Sequence, residues 1–259
     1  MSDEKLRLPP TDFFYSRSLA RSAEIQAEND AAAVNVKRLA NDPPAFTREE
    51  IIRALDLAVL QPDATLREVT EAAREVEAIG AASICVASCN VAMAKSVTLR
   101  VCSVIGFPHG NMSPDVKFTE ARAAVEDGAV ELDVVINYGR FLDRRLTAVK
   151  EELRRILQYT VPRQVRVKAV LECCFYSSLE ITGACKLCMD LGVDWVKSST
   201  GCFGGATPEA VLTMLEAVNG GCQVKASGGI KTYETACFYL SAGCTRLGVG
   251  YRSHKELLP

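Results

Sequence analysis

Residues 194–201 read DWVKSSTG and residues 223–229 read QVKASGG. In each, a short apolar run carries a single lysine, Lys197 or Lys225, and then breaks into small hydroxyl residues and glycine. Read as strands, both bury an ammonium group, which costs several kcal/mol unless a partner compensates or the proton leaves. Between them, Thr207 and Pro208 place an N-cap before a first-turn proline and so open a helix. Strand, helix and a second strand of the same design make a parallel unit, and that unit decides the fold.

The same alternation extends outward through most of the chain. Strands are expected over 52–60, 82–86, 101–107, 130–137, 165–173, 193–198, 223–226 and 245–249, the start of the first being equally readable as helix. Thr65 to Glu68 has the pattern of a capping box, and Ser113 with Pro114 repeats the cap-and-proline start. Gly80, Gly128, Gly192 and Gly243 close helices just before the next strand. An open doubly wound sheet and a closed (β/α)8 barrel both fit this order. Eight β units favour the barrel, as do polar residues at the ends of many strands and no G-x-G-x-x-G after the first. A single TIM barrel is therefore expected over 47–259. Residues 1–46 lie outside the repeat, with an amphipathic helix over 12–40 that either caps the barrel bottom or makes a subunit contact.

The composition excludes several classes. A net charge of -2 gives no electrostatic reason to expect nucleic acid or an anionic membrane. The charged N-terminus MSDEKLRLPP has no apolar h-region, and no run approaches the roughly 18 residues of a membrane span, so a cytoplasmic protein is expected. Of eleven cysteines, most sit in apolar stretches and read as reduced core thiols. Cys185 and Cys188 are spaced C-x-x-C, but they fall on a helix and no second pair follows. With only two histidines in the chain, neither a metal nor a cofactor is expected.

Strand alternation groups the polar residues by face. Glu131, Asp133, Val135 and Asn137 share one; Lys168, Val170 and Glu172 another; Trp195, Lys197 and Ser199 a third; Gln223, Lys225 and Ser227 a fourth. If these faces point inward, Asp133, Lys168, Lys197 and Lys225 meet inside one barrel. They form either a self-satisfying ion network or a catalytic site. Adjacent ammonium groups and burial both favour the neutral amine, which attacks carbonyl carbon to make a Schiff base. Asp133 is then placed to move protons. Glycines ending the last strands, at Gly201, Gly228, Gly229 and Gly248, suit backbone binding of phosphate, although tight βα turns need glycine anyway.

Taken together, LDLAVLQPDAT (55–65), VIGFPHG (104–110), EDGAVELDVVINYG (126–139), VKAVLE (167–172), DWVKSSTG and VKASGGIKTYE (224–234) resemble the deoxyribose-phosphate aldolase family from about residue 52 to 248. The resemblance implies Lys197 as the Schiff-base lysine, Lys225 as its pKa-lowering neighbour and Asp133 as the proton relay. It implies Asp56, Lys168 and Cys85 beside the substrate, Cys85 being equally readable as core. Gly201, Cys202, Gly228, Gly229 and Gly248 fall at the phosphate end. The implied reaction is reversible cleavage of 2-deoxy-D-ribose 5-phosphate to acetaldehyde and D-glyceraldehyde 3-phosphate; association as a homodimer is left open by the sequence.

Two departures stand out. Family members usually carry threonine two residues after the first-strand aspartate, where this chain has Ala58. They usually end the last strand in paired serines, where this chain has Gly250 and Tyr251. Tyr251 either fills the anion site or leaves Arg252 to supply the phosphate charge. These changes also motivate two other readings: an aldolase-fold module that binds a protein partner, and an aldolase for an unphosphorylated or differently charged aldehyde.

Overall fold

Along each strand the apolar residues alternate with polar or small ones, and the chain resolves that pattern by closing the sheet. The computed structural model describes residues 45–258; the helix expected over 12–40 lies outside them. The elements run α1 (Arg48–Ala54), β1 (Leu55–Val59), α2 (Leu66–Ile79), β2 (Ser83–Val86), α3 (Val91–Lys95), β3 (Val101–Ile105), α4 (Pro114–Glu126) and β4 (Glu131–Val135). They continue with α5 (Tyr138–Leu142), α6 (Leu146–Thr160), β5 (Arg166–Val170), α7 (Ser178–Asp190), β6 (Trp195–Lys197), α8 (Pro208–Val218), β7 (Gln223–Ser227), α9 (Tyr233–Ala242) and β8 (Arg246–Gly250). All strands are parallel, each pairs with its neighbours in sequence, and β8 closes on β1. This is the expected (β/α)8 barrel.

The outward side chains, among them Leu57, Ile84, Leu132, Val134, Val167, Val196, Val224 and Leu247, are fully or almost fully buried against the helices. At about 25 cal/mol per Å² of apolar surface, this shell is the principal driving force for closure. The inward faces carry the charged residues together with Val135, Val170 and Trp195, and a small apolar lobe of Cys85, Cys102 and Val104 is backed by Ala58, Leu60 and Phe107. The C-x-x-C pair, Cys185 and Cys188, is buried in the outer shell.

Local starts follow the sequence. The start of the expected 52–60 strand is helical, because Thr47 and Glu50 form a reciprocal capping box that fixes α1 ahead of Leu55. Thr65 caps α2 through Glu68 N–H, and the Glu68 carboxylate is held chiefly by Arg252. After β8 the chain forms the 3-10 turns Tyr251–Leu257. Among the described residues, no helix is long and apolar enough to cross a membrane.

Candidate active site

Parallel register brings the inward-facing residues of successive strands side by side. Asp133 pairs with Lys168, Lys197 with Lys225, and Lys225 with Arg246. The four cations Lys168, Lys197, Lys225 and Arg246 thereby meet the three anions Asp56, Glu131 and Asp133, all of them buried. Asp133 is the hub. Its Oδ2 accepts from Lys197 at 2.7 Å and from Lys225 at 2.9 Å, while Oδ1 accepts from Lys168 at 2.9 Å.

The three lysines are not equivalent. Lys168 also meets Glu131 at 2.5 Å and stands 5.7 Å from the Trp195 ring centre. Lys225 donates to Asp56 at 2.5 Å as well as to Asp133. Among the described residues Lys197 has Asp133 as its one carboxylate, and it is the last residue of its short strand, with 4% of its side chain accessible. Burial alone would make Lys168 and Lys225 easier to deprotonate, but Asp133 and its fellow carboxylates overcome it and raise both. Burial likewise pushes Asp133 and Asp56 up, and the surrounding cations pull both below the usual carboxylate range. Asp133 rests as an anion between cations.

Asp56 closes the first-strand side, accepting from Ser83 Oγ at 2.8 Å and from Arg246 as well as Lys225. Beneath the cluster, Trp195 donates through Nε1 to Thr245 at 2.9 Å, and its ring lies against Lys168, Arg166 and Arg246. The bottom of the barrel is plugged, so Lys197 is reached from the C-terminal mouth. On that rim His109, Phe203, Phe175 and Tyr138 form a row of rings 5.1–5.7 Å apart.

Several sequence expectations need revision in position. Lys168 was grouped with Glu172, but β5 ends at Val170 and Glu172 turns left-handed with φ 59, so alternation no longer applies there. Its carboxylate accepts from Thr200 N–H at 2.9 Å and ties the fifth and sixth strand ends together. Lys168 is fully buried and enclosed by Glu131, Asp133, Cys102 and Trp195. Arg252, expected at the phosphate, is bound to Glu68 at 2.7 Å and Asp63 at 3.2 Å. Tyr251 stacks on His254 and interacts with Glu75 of α2, which draws its ring away from the mouth.

Gly201, Gly228 and Gly229 do come together. All three have positive φ, and a Cβ on Gly228 would stand 2.9 Å from Ser199 Oγ and 3.0 Å from the Cα atoms of Gly201 and Gly205. Cys202 N–H is already donated to Thr200 Oγ1 at 3.1 Å. Gly248 serves the lysines: a Cβ there would lie 2.9 Å from Ser227 Cβ and 3.2 Å from Lys225 Cε. Cys85 and Ala58 face the interior as strand neighbours.

Arg246, Glu131 and Cys102 were given no role from sequence. Alternation already carried the signal, since Arg246 precedes the inward Gly248 by two and Cys102 precedes Val104 by two. The Lys117–Glu152 pair, 2.7 Å apart and fully buried outside the barrel, was legible only in three dimensions. Lys117 also donates to Gly110 O and Val135 O, both at 2.8 Å, and so anchors the loops after β3 and β4.

Comparison with known proteins agrees with this arrangement. The model of the DeoC/LacD family aldolases matches residues 50–246. The chain belongs to the DeoC/LacD aldolase family. Among similar members, a deoxyribose-phosphate aldolase of Frankia alni is 40% identical over 214 residues, 78% of this chain and 94% of that protein. One from Thermococcus kodakarensis is 38% identical over 210 residues, again 78% and 94%. A solved deoxyribose-phosphate aldolase from Aeropyrum pernix, described as a tetramer, superposes with a TM-score of 0.76 at 28% identity, covering 85% of this chain and 94% of that one.

Proposed function

We propose that the protein is a class I aldolase that reversibly cleaves 2-deoxy-D-ribose 5-phosphate into acetaldehyde and D-glyceraldehyde 3-phosphate, with Lys197 as its imine-forming amine. The observation that carries the assignment is the shared Asp133 oxygen, bonded to both Lys197 and Lys225. Arg166 also pairs with Glu131, so the cluster holds more cations than anions, and a neutral Lys197 reduces that excess. Lys197 Nζ attacks C1 of the open-chain sugar, and loss of water gives the iminium. Asp133 accepts the proton released in carbinolamine formation, and Lys225, on the same oxygen, is the donor beside it. The iminium draws in the electrons of the C2–C3 bond as the C3 hydroxyl loses its proton. The resulting enamine is protonated at C2 and hydrolysed to acetaldehyde.

Gly201, Gly228 and Gly229 are assigned the phosphate end through their backbone N–H groups. Without the strand-eight serines, and with Arg252 committed to Asp63 and Glu68, two contacts to the dianion are missing. Each is worth about 1.5–3 kcal/mol, so weak phosphate binding is expected. That observation keeps a second reading open, an aldolase for an unphosphorylated 2-deoxy sugar. Comparing kcat/KM for 2-deoxyribose with and without the 5-phosphate separates the two. The binding-module reading is not favoured, because the cluster is complete. Self-association as a homodimer is our expectation, to be read by light scattering.

The decisive experiment is borohydride trapping with 2-deoxyribose 5-phosphate followed by peptide mapping. A reduced adduct on Lys197 supports the assignment. An adduct on Lys225 reverses the lysine roles, and none on folded protein at millimolar substrate overturns the reaction.

A further inference from the structure

Two thiols face each other inside the barrel, and the aldolase mechanism uses neither. Cys85 on β2 and Cys102 on β3 are register partners on adjacent parallel strands. Both point inward into the apolar lobe beside the lysine cluster, and their sulfurs lie within 4.8 Å of each other and of an Asp133 oxygen. Neighbouring strands stand about 4.8 Å apart, inside the roughly 4.4–6.8 Å Cα separation of disulfides. Side chains on the inner wall of a closed barrel also converge, which shortens the gap between sulfurs further. The Asp133 oxygens are already held by lysine nitrogens, and Lys168 Nζ stands 3.4 Å from Cys102 Sγ. A divalent cation placed among these groups would meet ammonium charge, so the pair is suited to thiol chemistry rather than to metal binding.

We propose that Cys85 and Cys102 are an oxidative modification site, in which hydrogen peroxide joins the two thiols as a disulfide within the barrel and switches the lysine site off. The cysteines divide the roles. Cys85 is shifted toward its thiolate, first by the hydrogen bond with Cys102 and then by Lys225 and Lys197. Cys102 is driven the other way by burial and by its bond with Cys85, and keeps its proton. The Cys85 thiolate attacks one peroxide oxygen, the O–O bond breaks, and a sulfenic acid forms while the departing hydroxide takes up the proton that Cys85 had released and leaves as water. Cys102 sulfur then attacks the Cys85 sulfur, the S–O bond breaks, and a second water departs with the thiol proton. Two thiols lose two electrons and one peroxide becomes two waters.

The consequence for the lysines follows from the contacts of Cys102. Its one S–H is shared between the Cys85 sulfur and Asp133 Oδ1, 3.2 Å away, and its sulfur accepts from Lys168. A disulfide has no proton to donate, and drawing the sulfur toward Cys85 removes it from both partners. Asp133, the acceptor for Lys197, then loses one of the bonds that orients it. Access is set by the substrate route, since an opening that admits a sugar phosphate to Lys197 admits peroxide to the adjoining lobe.

The test uses the full-length protein, reduced and then treated with hydrogen peroxide, and reads covalent state and activity separately. Trypsin places Cys102 in peptide 101–117 and Cys85 in 75–95 together with Cys89, which is exposed. A Cys89→Ser background therefore makes a link between those peptides unambiguous. Expected are a chain lighter by two hydrogens, the 75–95 to 101–117 link, and at least a tenfold loss of activity that dithiothreitol restores. In Cys102→Ala, with activity compared with its own reduced form, the reversible loss should vanish. Free Cys85 and Cys102 after treatment, a disulfide elsewhere, or the same reversible loss in Cys102→Ala would each overturn the proposal. The proposal rests on the aldolase reading only for its activity arm. The linked peptide forms or fails to form whether or not the protein cleaves 2-deoxyribose 5-phosphate, so the two failures are distinguishable.

Discussion

At the level of single residues, three lysines touch one aspartate, and their partners separate their roles. Lys197→Met removes the amine and should abolish borohydride trapping, with kcat falling on the order of a thousandfold or more, about 4 kcal/mol of barrier. Unchanged trapping in that variant would move the nucleophile elsewhere. Asp133→Asn keeps the shape but cannot hold a proton in transit, and should lower kcat roughly 10²–10⁴-fold. Lys168 is the informative contrast. It is enclosed by Glu131, Asp133 and Trp195, so Lys168→Met leaves two buried carboxylates short of a cation. Breaking such a pair typically costs about 3–5 kcal/mol. Urea unfolding should show that loss while adduct formation stays on Lys197. A raised KM with unchanged stability would instead place Lys168 against the substrate.

At the level of elements, β8 makes room for β7. Gly248 pairs with Ser227 and with Asp56, and its missing side chain leaves space for Lys225. In Gly248→Ala the new Cβ would meet Ser227 Cβ at 2.9 Å and Lys225 Cε at 3.2 Å, so backbone or lysine must shift. Overpacking of this kind costs about 1–3 kcal/mol, and the shift should also lower kcat; wild-type stability and rate together would refute the spacing role. The sequence exposed these strands because a period of two places Asp133, Lys197 and Lys225 on inward faces whatever the exact strand ends. Alternation fails where a strand stops, and for that reason Glu172 was grouped wrongly. Side-chain partners drawn from distant loops were not legible: nothing near Arg252 announces Asp63 and Glu68, and nothing near Lys117 announces Glu152. The phosphate end was therefore the least readable part of the site, since it depends on loop conformation and on where one arginine turns.

At the level of the whole molecule, the barrel encloses an ionic centre within an apolar shell, and that centre ties stability to pH. Asp56 and Asp133 have folded pKa values depressed below the roughly 3.9 of an unfolded aspartate. A depressed carboxylate contributes stability that is fully present above its unfolded pKa and is lost as pH falls toward the folded one. Lys168 and Lys225 are raised, so their contribution is present below about 10.4 and is lost as pH climbs above it. Glu152 is raised by burial and runs against the two aspartates on the acid side. Its opposition is common to any variants compared and drops out of their difference. Asp56→Asn isolates the acid limb, because asparagine resembles the protonated aspartic acid that the wild type acquires as pH falls. Near pH 7 the variant leaves Lys225 and Arg246 without one of their anions and should be less stable by about 3–5 kcal/mol. Between about pH 5 and pH 2 the wild type should lose its advantage while the variant changes less, so the two urea midpoints converge. A gap that stays constant across that range would show that Asp56 stabilises the barrel through packing and hydrogen bonds rather than through its charge.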